Sequence, residues 1–570
     1  MKRCPACKRI EPDDALAFCR TDGTALVSDP SQLRGEAGTA QVISAATEIE
    51  TSILPHRTDA AISRSTAPTT ALPAEVAPST TGKLTKLGYQ RKLLIAVASL
   101  IILAIVIGGY VYLSRRNSAA IGSIAVMPFV NESGNADLEY LSDGMTETLI
   151  GSLSQIPNLN VKARSSVFRY KGKETDPKTI GKELNVQAIL NGRVVQRGDQ
   201  LTLSLELINA QTENVIWSEQ YNRKQADLLS LQSEIARDVS SRLKTKLSGA
   251  DERRVAKTYT ENVEAYQLYV KGRFYWNRRT VLDLRTSIEY FKQAIAIDPN
   301  YALAYAGLSN AYSNLAQNYG TPPDTRTKAR DAARKAISLD DNLAESHAAL
   351  AEVVANDYDF AAAEREFRQA IELNPNYATA HQWYGLLLSQ LGRHGESLAE
   401  LRRALDLDPF SLIINKNYGN SLYYARRYDE SIGQLRKTIE LNPNFPFAHQ
   451  DLSSTYQKTG KYAESVEEFA RYQELIGDAE AAARIRESYA RNGWQGFLLL
   501  ITSEPQPVKM SPDDLAIYYA ALGNKEKVFN LLDRAYDGGH LLGLKVEPLY
   551  DPLRDDPRFQ ELLKKVGFPQ

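Results

Sequence analysis

Three Asp/Asn-Pro pairs recur in this chain at a fixed step of 34 residues: Asn374-Pro375, Asp408-Pro409 and Asn442-Pro443. Proline lacks the amide that would continue a helix, so each pair marks a helix end. Ahead of each stop stands the same small–large–small triplet: Ala363, Phe367 and Ala370, then Ser397, Leu401 and Ala404, then Ser431, Leu435 and Thr438. An earlier copy reads Ser287, Phe291 and Ala294 before Pro299. Asp341 takes the proline slot between them, 42 residues after Pro299, and the eight extra residues fit a loop around Gly320–Pro323. Small residues let two helices approach closely, and the large one fills the gap to the next pair. One such pair cannot bury its apolar face alone, so the expected fold over residues 262–570 is an all-α solenoid of stacked helix pairs.

This period, with Tyr384-Gly385 and Tyr418-Gly419 at the close-packing position of the first helix, resembles the tetratricopeptide (TPR) repeat. The array is expected to begin near Ala265, to include a degenerate copy from Pro446 to about Gly477, and to add helix pairs over Ala479–Leu500 and Asp514–Tyr536. The polar, proline-punctuated stretch Pro548–Phe559 suits a C-terminal cap. The resemblance implies a concave face, lined by the first helices, that binds a protein or peptide ligand. On the period its candidate contacts are Asn310, Asn314, Gln382, Gln390, Lys416, Asn420, Tyr424, Gln450 and Lys458. Lys416 and Asn420, one turn apart, could grip a carboxylate; the ordinary alternative is a solvated polar face. His347, His381 and His449 share one slot of the first helix, so successive rings lie about 10 Å apart, too far to share one zinc ion. They read as half-buried rings of the helix seam. His56, His394 and His540 lack any partner pattern, and no catalytic triad is visible.

Residues 121–249 have a different texture. Short apolar strands are expected at Ile124–Val130, Asn160–Arg164, Ala188–Gln196, Gln200–Asn209 and Val215–Tyr221, with a hairpin turn at Arg197–Asp199. The alternation of Leu201, Leu203, Leu205 and Leu207 marks a half-buried strand. Helices are expected from Asp143, as a cap, to about Leu153, over Thr179–Asn185, and over Asp227–Leu247. This order indicates an α/β domain with a mixed sheet. Asp143-Gly144 reads as a strand-to-helix turn, and Lys171-Gly-Lys173 as a solvated loop or an anion contact. The stretches IAVMPF, YLSDGMTETL, RSSVFRYKGK and INAQTENVIWSEQYNR resemble the TolB N-terminal-like (FlgO-like) domain. With the repeats, the tandem is similar to the C-terminal halves of certain bacterial adenylate cyclases and membrane Ser/Thr kinases, and its layout to CadC-like membrane sensors. The resemblance implies a sensing or scaffolding half, since no phosphate loop, kinase loop or cyclase carboxylate pair is visible.

Leu93–Leu113 holds 21 residues without a charge, thirteen of them Leu, Ile or Val. About 20 helical residues cross a bilayer core, so a single transmembrane helix is expected, contacting the lipid bilayer. Lys83, Lys86, Arg91 and Lys92 precede it and Arg115 and Arg116 follow, which favours a cytoplasmic N-terminus. All three cysteines lie before residue 20, in keeping with a reducing compartment there. The expected location is the bacterial inner (cytoplasmic) membrane, with the C-terminal domains periplasmic.

Residues 1–27 outline a zinc ribbon: Cys4 and Cys7, then Cys19 and Asp22 followed by Gly23. Asp22 replaces the fourth cysteine; a carboxylate ligates Zn2+ at about 2.0–2.2 Å, so either a Cys3Asp site or a degenerate ribbon without metal fits. Residues 28–90, rich in Ala, Ser, Thr and Pro, read as a disordered tether. The chain thus reads as multidomain and non-enzymatic: head, tether, membrane helix, α/β domain and TPR solenoid. The expected function is a scaffold for protein or peptide partners at the cell envelope. The alternative is a transmembrane signal transducer or regulator whose head contacts a cytoplasmic partner or nucleic acid. A net charge of −1 and a head of mixed charge argue against nucleic acid.

Overall fold

A computed structural model describes residues 121–135, 138–243, 247–318, 324–506, 508–538 and 541–569, together with three short strands near the N-terminus. The chain divides into two units, residues 1–96 and 97–570. In the first, β1 (Lys2–Arg3) pairs antiparallel with β2 (Ile10–Glu11) and with β3 (Val27–Ser28). Cys4, Cys7, Cys19 and Asp22, and with them the expected Zn2+ site, lie outside the described residues.

The second unit opens with the sheet. β4 (Ser123–Val126) lies parallel between β6 (Asn160–Val161) and β7 (Ala188–Arg197), and β5 (Val130–Asn131) pairs parallel with β7 further along. β8 (Gln200–Asn209) and β9 (Val215–Lys224) continue antiparallel, giving the order β6-β4-β7-β8-β9. The mixed sheet read from the sequence is therefore present. The β7–β8 turn closes at Arg197↔Gln200, with Gly198 at φ 61°, a conformation that suits glycine. Leu201, Leu203, Leu205 and Leu207 all bury one face of β8. Across that face pack two helices, α1 (Glu139–Ser154) and α4 (Leu228–Arg242). Between these in the chain are α2 (Arg164–Phe168) and α3 (Pro177–Leu184); the latter starts on the Asp176 side chain, which accepts from Thr179 N.

Two local expectations fail here. The first helix starts at Glu139, so Asp143 does not cap it; Asp143 sits in its second turn, buried, with one carboxylate oxygen 2.5 Å from Lys171 Nζ. Gly144 is likewise helical and not a turn: a Cβ there would lie 2.0 Å from Val270 Cγ1. The acidic Asp143 and Glu139 draw Lys171 onto the helix, an attraction that neither a cap nor a solvated loop would show.

After α5 (Gly249–Val255), helix pairs follow one another: α6 (Val263–Arg278) with α7 (Val281–Ile297), and α8 (Ala302–Asn318) with α9 (Asp324–Leu339). The next first helices are α10 (Ala344–Asn356), α12 (Ala378–Gln390), α14 (Leu412–Tyr424) and α16 (Pro446–Lys458), each beginning 34 residues after the last. Their partners, α11 (Phe360–Leu373), α13 (His394–Leu407), α15 (Tyr428–Leu441) and α17 (Tyr462–Leu475), keep the same step. Successive first helices pack on one another and form the inner layer of the solenoid. The small positions do what their size allows: a Cβ on Gly385 would meet Leu401 Cγ at 2.7 Å, and one on Gly419 would meet Leu435 Cγ at 2.8 Å. Phe367, Leu401 and Leu435 are fully buried in the seams between helices.

α18 (Ala479–Ile501) is two helical segments joined at a break, Asn492–Gly493. α19 (Pro512–Ala521) and α20 (Lys525–Gly538) form the last pair, followed by a 3-10 turn (Pro548–Leu553) and α21 (Pro557–Val566). This end packs back on an earlier repeat: Tyr358 stacks on Tyr536 and Phe360 on Phe568, with ring centroids 5.7 and 5.1 Å apart.

The single-pass architecture and inner-membrane location expected from the sequence do not stand. Among the described residues no helix is long and apolar enough to cross a membrane. The 23-residue α18 has the length, but it carries Arg484, Arg486, Glu487 and Arg491 and breaks at Gly493. Residues 93–113, on which the expectation rested, lie outside the described residues. The architecture that stands is a mixed-sheet domain joined to a helical-repeat solenoid.

Candidate partner-binding face

Four consecutive repeats each carry a polar clamp on the first helix. His347 Nδ1 lies 2.6 Å from Glu366 Oε2, and Nε2 lies 2.9 Å from the carbonyl oxygen of Asp341. His381 repeats this with Glu400 and Pro375, and His449 with Glu468 and Pro443. The four-repeat series is completed by Asn415, whose Nδ2 donates to Pro409 O at 2.9 Å while its Oδ1 accepts from Gln434 Nε2 at 2.8 Å. The rings are buried, deeper than the half-buried seam position expected. A backbone carbonyl only accepts, so Nε2 donates to it in each case. Burial works against charge on His347, but Glu366 and the Asp341 carbonyl outweigh it and raise its pKa above the ordinary value.

The inter-repeat turns do a second task. Asn376 Nδ2 donates to the carbonyl oxygens of Ser154 (2.9 Å) and Leu159 (2.8 Å), and Asn374 Nδ2 donates to Ser154 Oγ at 2.8 Å. One repeat later, Asp408 accepts from the hydroxyls of Ser165 and Ser166, and Ala163 N donates to Leu407 O. The turns therefore hold the sheet domain. Deeper in the same contact, Glu147 receives Arg273 Nε at 2.9 Å and faces Arg164 Nε at 3.2 Å. Burial opposes the Glu147 charge, but the Arg273 and Arg164 guanidiniums override it and lower its pKa. The proline-flanking residues were read in the sequence only as helix stops. Their docking role depends on partners more than 200 positions away, and no local pattern announces it.

The nine expected contact residues meet different fates. Lys416 Nζ is 3.0 Å from Asp451 Oδ2, so its charge is met inside the protein. Asn420 bonds Tyr424. Lys458 donates to Pro548 O at 2.8 Å and pairs with Asp551 at 3.2 Å, against the returning C-terminal segment. The same segment places Glu547 on the Tyr423 hydroxyl, and Arg426 donates to Val546 O at 2.6 Å. Asn314 accepts from Arg279, Asn310 and Gln382 are buried, and Gln390 is half-buried.

Gln450, the ninth, lines a cavity of about 210 Å³ between α16, α17 and α19. Gln457, Tyr472, Gln473, Asp514 and Tyr518 share it. Gln457 could have been found, since it follows Gln450 by two turns on the same helix face. The others could not, because α19 reaches the cavity only through the curvature of the solenoid. An open cleft of about 1350 Å³ lies over the polar face of the sheet, beside Lys171–Asp176. Lys171 there is paired with Asp143 and Glu139, which removes it as an anion contact. Among the described residues no group of three or more metal-ligating side chains is present.

Residues 119–238 match the family described as HilA/YgeH-like transcriptional regulator, second domain. That match falls on the stretch where a TolB N-terminal-like domain was expected, and it does not bear that family out. Residues 348–411 match the tetratricopeptide repeat family. A protein of Rhizobium meliloti (strain 1021) named "Putative adenylate cyclase 3" is 33% identical over 231 residues, covering 40% of this chain and 39% of that protein. The match thus spans well under half of the relative's length. Among solved structures, YrrB, titled as a TPR protein with an unusual peptide-binding site, is 19% identical, with 35% of this chain and 97% of that one covered and a TM-score of 0.26. A thermophilic TPR protein of Thermus thermophilus, TTC0263, is 18% identical, with 32% and 96% covered and a TM-score of 0.29. The 34-residue helix pairs, their glycine and alanine seams and the family match agree: this chain carries tetratricopeptide repeats.

Proposed function

We propose that this protein is a scaffold that holds a protein or peptide partner on the inner face of its tetratricopeptide repeats. The observation that carries the reading is the division of labour among copies of the repeat. The turn edge is spent on the sheet domain through Asn374, Asn376 and Asp408, whereas the inner face keeps a polar cavity at Gln450 and Gln457. Solenoids of this kind use that curved surface to bind polypeptides. The relative named as an adenylate cyclase means that the fold does not by itself establish the absence of catalysis. The test is selection of random 12-residue peptides displayed on phage against the immobilised full chain. Recovered peptides should lose at least ten-fold in affinity on Gln450→Ala or Gln457→Ala. Recovery of no binding peptides overturns the scaffold reading.

A second reading is a regulatory role, favoured by the match of residues 119–238 to the second domain of transcriptional regulators. On this reading the sheet domain passes the occupancy of the repeats onward through the Asn376 and Asp408 contacts. Cys4, Cys7, Cys19 and Asp22 would hold one Zn2+, a proposal resting on their spacing alone. Metal analysis of the purified full chain, with Cys4→Ser as the comparison, checks that.

A further inference from the structure

The two edges of the mixed sheet are treated differently. β6 is two residues long, and the repeats cover its surroundings: Asn376 Nδ2 donates to Leu159 O, and Ala163 N donates to Leu407 O. β9, at the other edge, is ten residues long and among the described residues pairs with β8 alone. Only Trp217 and Tyr221 of β9 are buried. Long edge strands are ordinarily cut short, bulged, covered or guarded by proline and lysine, because their free backbone groups invite a further strand. β9 has no proline, its lysine stands at the last position, and its register breaks only at the start, where Ile216 bulges between Val215 and Trp217.

The ladder fixes which backbone groups are free. Gln225 N donates to Asp199 O at 2.9 Å, just outside the facing pair Gln200↔Lys224. In an antiparallel ladder this makes Gln200↔Lys224 a pair that exchanges no bonds, so the amide and carbonyl of Lys224 point away from β8. Every second residue does the same: Asn222, Gln220 and Ser218, all exposed. Asn222 O accepts from Arg223 Nη1 at 3.0 Å and keeps a second lone pair, and this bond holds the guanidinium at the open edge. Arg223 Nη2 also binds Glu234 of α4 at 3.0 Å, and the fork has further N–H donors for a second carboxylate. Glu219, exposed, has no ion pair among the described residues.

We propose that β9 pairs antiparallel with β9 of a second copy of this chain, about a two-fold axis at Tyr221. That register faces Ser218 with Lys224 and Gln220 with Asn222, each pair twice, so every outward backbone group from Ser218 to Lys224 is bonded. An axis at Gln220 would instead set Lys224 against Ile216 in the bulge. The axis at Tyr221 also sets Glu219 of each copy opposite Arg223 of the other, in pairs whose side chains lie closer together than those of the bonded pairs. The contact is isologous and closed, so assembly stops at two. It is independent of the scaffold reading; where that reading holds, the dimer presents two inner faces and favours partners that carry their recognised segment twice.

The test is sedimentation velocity on the full chain across the micromolar range, where a concentration-dependent dimer is expected. Gln220→Pro removes an outward amide and leaves the β8 ladder intact, so it should weaken dimerisation about ten-fold or more with the thermal midpoint unchanged. Charge reversal keeps the test decisive where that variant folds poorly. Glu219→Arg and Arg223→Glu each set like charges opposite one another and should each weaken their own dimers about ten-fold. An equimolar mixture of the two should recover a heterodimer, because both facing pairs then join arginine to glutamate. A monomer at every concentration, a dimer indifferent to all three variants, or a mixture that recovers nothing overturns the proposal.

Discussion

Asn376 and Gln450 are carboxamides carried by copies of the same 34-residue repeat, one in the turn between pairs and one on the first helix. Asn376 is buried, donates twice to backbone carbonyls of the sheet domain, and accepts from Arg403 at 3.0 Å. Gln450 faces a cavity, and among the described residues its side chain has no hydrogen-bond partner. A repeat thus divides its surface by what its polar groups meet. Groups that settle their hydrogen bonds inside the protein build architecture, and groups that leave them open are kept for a ligand.

Four variants test that contrast. The largest effect is expected from Gly144→Val, which forces a branched side chain into Val270 where α1 meets α6. Overpacking of this kind costs up to about 3 kcal/mol, read as a lower denaturant midpoint. Asn376→Ala leaves the Ser154 and Leu159 carbonyls without their donor and should cost about 2 kcal/mol in urea unfolding. A loss below about 0.5 kcal/mol would show that water replaces the amide and that the turn edge is not the clamp described.

The third test concerns the histidine clamp. The folded pKa of His347 is raised, so its contribution is complete below its unfolded value near pH 6.5 and is lost as pH rises through the folded value. Glu547, pushed up to about 7 chiefly by burial, acts with the same sign. Thermal melts from about pH 5.5 to 8.5 should therefore show stability falling as pH rises. The double change His347→Asn with Glu366→Gln copies the Asn415–Gln434 repeat and should flatten the slope by a part only, since Glu547 remains. An unchanged slope would mean that the clamp carries no proton linkage. The smallest effect is expected at the inner face: Gln450→Ala should change stability by less than about 0.5 kcal/mol while lowering peptide affinity.

Much of the helical half was legible because its signals are local. Pro375, Pro409 and Pro443 stop helices by chemistry that needs no neighbour, and Gly385 and Gly419 are small because a leucine of the same repeat presses on them. The leucine alternation of β8 announced a half-buried strand in the same way. Asp143 was misread as a cap because a strand followed by Asp-Gly favours a turn, whereas the fold extends the helix back to Glu139 and holds Asp143 with Lys171. Lys416 was legible as an inner-face residue, but its pairing with Asp451 crosses from one repeat to the next.

Period, seams and alternation follow from the chain's local chemistry, since each depends on side chains within one or two turns, or one repeat, of each other. Which polar groups are satisfied was settled only when the helices stacked. Asn374 and Asp408 found the sheet domain, Lys458 found the C-terminal segment, and Gln473 was brought into the cavity beside Tyr518. Hydrogen bonding is a matter of tenths of an ångström between residues tens to hundreds of positions apart, and only the curvature of the stacked helices sets those distances.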